Sequence, residues 1–123
     1  MKILVIDDSP FMRGITKLAL ESGGFEALEV EPDSLFEVLQ ALHREKPDLV
    51  LTDLEMPHCS GETVVRAIRE DQELKATPIM ILTAHRSEDL LERMKQWGVL
   101  GYLTKPLTPQ SILEGVQAVF PPS

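Results

Sequence analysis

The sequence predicts one α/β domain, a doubly wound (βα)5 unit with helices on both faces of a five-stranded parallel sheet. The first observation is a set of short apolar runs, rich in β-branched residues, which are typical of strands buried on both faces. The second is a segment with helical periodicity after each run. A chain of 123 residues also suits one domain. We therefore predict a domain over residues 1–120, followed by a C-terminal tail or the start of a linker over residues 121–123.

The strands are predicted where apolar runs are bounded by turn-forming or polar residues. Their short length and near-continuous apolar character indicate a parallel sheet that helices cover on both sides. The five predicted strands are residues 3–6, 25–30, 49–51, 79–82 and 100–104.

The helices are predicted from their start signals and their apolar spacing. Ser9 can cap the first helix, with Pro10 at its first position. Ser34 and Glu37 have the spacing of a capping box at the start of the second. The other three helices are predicted over residues 61–69, 87–97 and 109–120. In the first helix, apolar residues recur at helical spacing at Phe11, Ile15, Leu18 and Ala19.

Composition narrows the classes of function. The formal charge of −8, from 20 acidic and 12 basic residues, works against direct binding of nucleic acid and favours a protein or small-molecule partner. The apolar runs are too short to span a bilayer and no signal peptide is recognisable, so we expect a cytoplasmic protein without membrane insertion. Cys59 is the only cysteine, which excludes an internal disulfide, and we expect it in an exposed loop with His58.

Polar residues follow four of the predicted strands. In an open α/β sheet the ligand site lies beyond the carboxyl ends of the strands, so these residues are the candidates for a functional site. Strand one ends in Asp7 and Asp8, strand three in Asp53, strand four in Thr83, and strand five is followed by Lys105. We expect these side chains to converge on one small pocket.

The chemistry of this set points to phosphoryl transfer. Crowded carboxylates repel one another unless a cation joins them, and hard oxygen ligands with open positions suit Mg²⁺ or Mn²⁺. Lys105 adds a second positive charge and Thr83 a neutral hydroxyl donor. A metal ion, an ammonium and a hydroxyl together can stabilise the oxygens of a phosphoryl group in transfer. One of the carboxylates can then act as the nucleophile.

Four short motifs follow one another along the chain: Asp7-Asp8, Asp53-Leu-Glu-Met-Pro with Gly61 eight residues after the aspartate, Thr83-Ala84, and Tyr102-Leu-Thr-Lys105-Pro106. In this order they resemble the receiver domain of bacterial two-component response regulators, of the chemotaxis-regulator type. The resemblance covers nearly the whole chain, from residue 2 to about residue 120. It implies a flavodoxin-like sheet with strand order 2-1-3-4-5.

The resemblance implies a role for each acidic residue. Asp53 is expected to accept a phosphoryl group from the phosphohistidine of a sensor histidine kinase or of a histidine phosphotransfer protein. Asp8 and Asp53 are expected to bind Mg²⁺ through their carboxylates, Glu55 through its backbone carbonyl and Asp7 through a water molecule. On this reading the protein is a switch that catalyses only its own phosphorylation and dephosphorylation.

The resemblance also implies how the switch is read. Lys105 pairs with Asp53 and then with its phosphoryl group, to which Thr83 donates a hydrogen bond. Tyr102 then changes rotamer and alters the surface of helix four, strand five and helix five. That surface is expected to bind a downstream protein, a covalently linked output domain or, after phosphorylation, a second copy of the chain. The peptide bond between Lys105 and Pro106 is expected to be cis.

Glu55 and His85 are candidates for controlling the lifetime of the phosphoryl group. They lie two residues after Asp53 and Thr83, at positions that flank the phosphoryl group in similar domains. As a hypothesis, Glu55 places negative charge near the phosphoryl group and His85 donates a compensating hydrogen bond. Dephosphorylation rates that are unchanged in Glu55→Ala and His85→Ala would contradict this hypothesis.

Three other classes of function agree less well with the sequence. An aspartate-nucleophile phosphohydrolase normally carries Asp-x-Asp after its first strand, whereas this chain has Asp7-Asp8-Ser9-Pro10. A flavodoxin-like electron carrier needs a first loop rich in Ser, Thr and Gly, which is missing here. A pseudo-receiver that serves only as an interaction module remains as an alternative, although the intact acidic set disfavours it.

Overall fold

The computed structural model describes residues 1–84 and 87–119, so His85 and the predicted tail over residues 121–123 lie outside the described residues. None of the helices within these two ranges combines the length and the apolar character that crossing a membrane requires. Strands and helices alternate as predicted. The elements are β1 (Lys2–Ile6), α1 (Pro10–Ser22), β2 (Glu26–Val30), α2 (Leu35–Glu45), β3 (Leu49–Asp53), α3 (Gly61–Glu70), β4 (Ile79–Thr83), α4 (Glu88–Gln96), β5 (Gly101–Thr104) and α5 (Pro109–Val119).

All the strands are parallel and their order is β2-β1-β3-β4-β5, which confirms the predicted flavodoxin-like topology. The direction of winding reverses at β1, since β2 lies on one side of it and β3 on the other. Ligands bind at such a reversal, beyond the carboxyl ends of the strands. The register pairs Ile6 with Thr52. Asp7 and Asp53 are the next residues along these two strands, so they lie side by side where the strands end.

The hydrophobic core has one layer on each face of the sheet. Successive residues of a strand point to opposite faces, so Leu4 and Ile6 belong to one layer and Ile3 and Val5 to the other. Residues of α2, α3 and α4 complete the first layer, and residues of α1 and α5 the second. All five residues of β3 and of β4 are buried. This two-sided burial explains why their sequences read as continuous apolar runs.

Helix α1 forms where its apolar spacing predicts, but much of that apolar stripe does not enter the core. Phe11 and Leu18 are 74% and 69% exposed. The buried residues of the helix are Arg13, Thr16, Ala19 and Leu20. The spacing of apolar residues therefore predicted the helix but did not predict which of its faces is buried. Packing against the sheet and α5 selects the buried face.

Cys59 corrects an expectation. We expected it in an exposed loop, but it is only 7% exposed and packs in the core layer that contains α2 and α3. His58 beside it is exposed. The connection from β3 to α3 folds back onto the core and also buries Leu54 and Met56. A free cysteine behaves as a small apolar residue in such a position, and burial raises the pKa of its thiol.

Arg69 of α3 holds the C-terminal end of α4. Its Nε atom donates a hydrogen bond to the carbonyl oxygen of Trp97 at 2.6 Å, and Nη2 donates to that of Gly98 at 3.3 Å. Nη1 donates to the carbonyl oxygen of Thr77, before β4, at 2.7 Å. These bonds satisfy carbonyl groups that a helix end leaves without partners. They fix the end of α4 against α3.

His43 joins α2 to the connection between α3 and β4. Its Nε2 atom lies 2.7 Å from Oδ2 of Asp71 and its Nδ1 atom 3.2 Å from Oε2 of Glu73. A carboxylate only accepts hydrogen bonds, so both contacts are hydrogen bonds when the ring is protonated and carries a proton on each nitrogen. The hydrogen bond to Asp71 is the main cause that raises the pKa of His43.

The contribution of this contact to stability is expected to depend on pH. A raised folded-state pKa of His43 stabilises the fold fully below its ordinary value of about 6.5, and the effect is lost as the pH rises through the raised pKa. Burial acts to raise the pKa of Asp71, but hydrogen bonds from the Glu73 amide and His43 outweigh burial, and the pKa of Asp71 is lowered. The contribution of Asp71 to stability is therefore lost only in acid. The difference between the urea midpoints of the native chain and of His43→Gln should be largest between about pH 4 and 6.5. A constant difference up to pH 9 would contradict the expectation.

Candidate functional site

The structure brings together three carboxylates at the carboxyl ends of β1 and β3. One oxygen atom from each of Asp7, Asp8 and Asp53 lies within 4.8 Å of the other two. Asp7 and Asp53 are buried, whereas Asp8 is exposed and opens the cluster to solvent. The strand register places Asp7 beside Asp53. Asp8 follows Asp7 directly after β1. Asp7, Asp8 and Asp53 are three of the four residues that the family resemblance implied as metal ligands, and the fourth, Glu55, was expected to bind through its backbone carbonyl.

The carboxylate of Asp7 has one satisfied oxygen and one unsatisfied oxygen. Oδ1 accepts a hydrogen bond from the amide of Ser9 at 2.9 Å, while Oδ2 is buried and has no hydrogen-bond partner among the described residues. Burial is the main cause that raises the pKa of Asp7. A buried oxygen without a partner is costly, and a hard cation can satisfy it. The donor set of three carboxylates therefore fits a divalent ion such as Mg²⁺.

Asp53 is held by contacts to both of its oxygens. Oδ2 accepts a hydrogen bond from the ammonium of Lys105 at 2.8 Å, and Oδ1 accepts one from the amide of Glu55 at 3.2 Å. The residue is only 3% exposed. Its orientation is therefore set before any ligand arrives. The side chain of Glu55 lies on the exposed rim of the same loop.

Lys105 follows β5 and reaches back across the sheet edge. Its amide donates to the carbonyl oxygen of Thr83 at 2.8 Å, and its peptide bond to Pro106 is cis. The ammonium also lies 3.9 Å from Oδ2 of Asp7. Burial opposes the charge on Lys105, but the hydrogen bond and charge of Asp53 and the charge of Asp7 raise the pKa of the ammonium. One ammonium does not neutralise three carboxylates, so the site remains acidic.

Thr83 and Tyr102 lie on neighbouring strands, where Tyr102 pairs with Ile81, two residues before Thr83. Thr83 is the last residue of β4 and fully buried, one residue beyond the Leu82 that pairs with Asp53. Tyr102 is in the middle of β5, is 40% exposed and faces α4. The structure therefore places Thr83 beside Asp53 and Tyr102 on the proposed output surface. The predicted contribution of His85 lies outside the described residues.

Gly61 and Arg13 position the site, and the sequence alone did not predict that role for either residue. Gly61 begins α3 directly against the end of β3, where a Cβ atom would lie 2.6 Å from Cα of Leu54 and closer still to the carbonyl oxygen of Asp53. Arg13 is buried in α1, and its Nη1 atom donates to the carbonyl oxygen of Asp7 at 2.6 Å. The spacing after Asp53 had marked Gly61 as part of a motif. No sequence signal marked Arg13.

Comparison with known proteins identifies the family. A family model described as the response regulator receiver domain matches residues 3–117. The chain belongs to this family. Receiver domains are phosphoacceptor modules of two-component signal transduction and act as signalling switches rather than turnover enzymes.

Two relatives and one solved structure show how similar other proteins are to this receiver domain. The chemotaxis protein CheY of Pseudomonas aeruginosa is 38% identical over 120 residues, which cover 98% of this chain and 96% of that protein. The phosphate regulon transcriptional regulatory protein PhoB of the same species is 33% identical over 95% of this chain but only 50% of its own length. The structure of CheY4 of Vibrio cholerae superposes with a TM-score of 0.86 at 30% identity, covering 97% of this chain and 98% of that one.

Proposed function

We propose that this receiver domain takes a phosphoryl group onto Asp53 from the phosphohistidine of a sensor histidine kinase or of a histidine phosphotransfer protein. The observation that carries the proposal is the buried carboxylate of Asp53, held 2.8 Å from the ammonium of Lys105 within a cluster of three carboxylates. In the transfer, an oxygen of Asp53 attacks phosphorus, an O–P bond forms and the N–P bond of the donor breaks. The donor imidazole leaves with the electron pair of that bond.

The residues around Asp53 have distinct parts in this step. Lys105 keeps the carboxylate oriented as a nucleophile and its charge is placed to attract the incoming phosphoryl oxygens. Thr83 supplies a hydroxyl at the neighbouring strand end, from which it can donate to the product. Positioning and charge are the main contributions that a protein makes to phosphoryl transfer.

Mg²⁺ or Mn²⁺ is the ion we propose for the acidic cluster. Asp8 and Asp53 would hold it with their carboxylates, Glu55 with its backbone carbonyl and Asp7 through water. The buried Oδ2 of Asp7, which has no hydrogen-bond partner among the described residues, supports a cation at this place. When bound, the ion would offset the mutual repulsion of the carboxylates and the charge of the phosphoryl oxygens.

An intact-mass measurement tests this function. Incubation with Mg²⁺ and acetyl phosphate should add the mass of one phosphoryl group to the native chain and to Asp33→Asn, which changes an exposed aspartate outside the site. The gain should be absent from Asp53→Asn and from samples that contain EDTA. A native chain that gains no mass with acetyl phosphate or with a phosphorylated histidine kinase would instead support the pseudo-receiver alternative.

The output is proposed to pass through Thr83 and Tyr102 to the surface of α4, β5 and α5. A downstream protein, a linked output domain or a second copy of the chain would then recognise that surface. Glu55 and His85 are proposed to set how long the phosphoryl group survives. We further propose that residues 1–120 form the receiver domain and that it acts in the cytoplasm.

A further inference from the structure

A groove lies between α4 and β5. It encloses a cavity of about 530 Å³. Its floor is formed by buried Ile81 and Met94. The residues that define this α4–β5 groove at the surface are Glu88, Leu91, Glu92, Lys95, Leu100 and Tyr102.

The groove exposes apolar surface. Leu100 and Tyr102 are 49% and 40% exposed, and Leu91 of α4 is half-buried beside them. Large apolar side chains that share one concave surface are typical of places where another molecule binds. A cavity of this volume can hold a few side chains of a partner protein.

The walls of the groove are acidic. Glu88 and Glu92 are both exposed and stand one helical turn apart on α4, where like charges repel. Neither forms an ion pair within residues 1–84 and 87–119, and Lys95 is the only cation that lines the cavity there. The other nearby cation of α4, Arg93, is already bound to Glu62 by two hydrogen bonds of 3.1 and 3.3 Å.

We propose that the α4–β5 groove binds an amphipathic segment of a partner protein that carries Lys or Arg beside its apolar residues. The apolar side chains would pack on Leu100 and Tyr102, and the basic ones would pair with Glu88 and Glu92. The argument for this occupant is charge complementarity, which selects partners as well as strengthening their binding. The inference rests on the proposed function, because it names the chemistry of the partner that the output surface recognises.

Two synthetic peptides test the charge of the occupant. Both have equal length and leucines at helical spacing, with lysine at every charged position in one and glutamate in the other. Titration into the isotope-labelled chain, with and without acetyl phosphate and Mg²⁺, is followed by amide NMR. The lysine peptide should shift the resonances of α4 and β5 and bind at least about tenfold more tightly than the glutamate peptide in one of the two states.

Two double variants distinguish specific binding of the lysine peptide in the groove from its general attraction to an acidic protein. Glu88→Lys/Glu92→Lys should weaken the lysine peptide at least about tenfold. Glu21→Lys/Glu26→Lys changes the net charge equally at exposed positions on α1 and β2 and should leave the affinity within about twofold. Equal losses in the two variants, preference for the glutamate peptide, binding by neither peptide, or a dimer that fills the groove would each overturn the proposal.

The same variants keep this inference distinct from the proposed function. Glu88 and Glu92 lie outside the carboxylate cluster, so the groove variant should gain phosphoryl mass like the native chain. The titration without acetyl phosphate does not depend on phosphorylation. A chain that takes up phosphoryl groups but shows no lysine preference refutes the groove alone, and a chain that binds the peptide but never gains mass refutes the phosphoacceptor function alone.

Discussion

Lys105→Met is expected to slow phosphorylation of Asp53 by acetyl phosphate by about 10²- to 10³-fold, the usual effect of deleting one well-placed electrostatic contact. Methionine retains an apolar stem of similar length but removes the ammonium that lies 2.8 Å from Oδ2 of Asp53. The carboxylate then loses both its orienting partner and the charge that attracts phosphoryl oxygens. Initial rates of mass gain at fixed Mg²⁺ concentration measure the effect.

A second readout distinguishes lost electrostatics from lost structure. The ammonium of Lys105 lies 3.9 Å from Oδ2 of Asp7 as well as near Asp53, so its charge opposes a cation in the carboxylate cluster. Lys105→Met should therefore bind Mg²⁺ more tightly in calorimetric titration, while it phosphorylates more slowly. Lys75→Met, at an exposed position before β4, should change neither quantity. Parallel losses of Mg²⁺ affinity and rate would indicate a distorted site and contradict the role given to Lys105.

Gly61→Ala is expected to lower both stability and the rate of phosphorylation. The new methyl group would lie 2.6 Å from Cα of Leu54 and closer still to the carbonyl oxygen of Asp53, and backbone atoms cannot move aside as a side chain can. Overpacking of this kind costs about 1–3 kcal/mol. A shift of about 1 Å at Asp53 would slow the reaction by about 10²-fold. Urea unfolding and initial rates of mass gain measure the two effects.

Gly14→Ala is the matched control for this substitution. Gly14 lies in α1, and a Cβ atom there would meet no other heavy atom within 4 Å apart from its own helix. Alanine favours an α-helix over glycine by about 1 kcal/mol, so this variant should be more stable than the native chain. Its phosphorylation rate should be unchanged. Equal stability of Gly61→Ala and Gly14→Ala would show that α3 can move away from Asp53 without cost.

The candidate site could be predicted because each of its residues ends a strand. Continuous apolar runs identified β1, β3 and β4, and in a parallel sheet the carboxyl ends of neighbouring strands meet at one edge. Asp7, Asp53 and Thr83 were therefore expected at one edge of the sheet, and the strand order implied by the family resemblance placed their strands next to one another. The same reasoning could not find Arg13, because its role depends on a helical side chain that crosses to the carbonyl oxygen of Asp7.

The sequence alone determined how strands and helices alternate along the chain and which residues stand at the strand ends, because these depend on local pattern. It also determined that the site is acidic, because this depends on charge. Only the tertiary structure decided that Phe11 is exposed while Cys59 is buried, since exposure depends on which neighbours cover a side chain. It also decided that Glu88 and Glu92 border an apolar groove while Arg93 is already paired with Glu62. Charge complementarity towards a partner is a property of surfaces that distant segments assemble, and a linear pattern does not contain it.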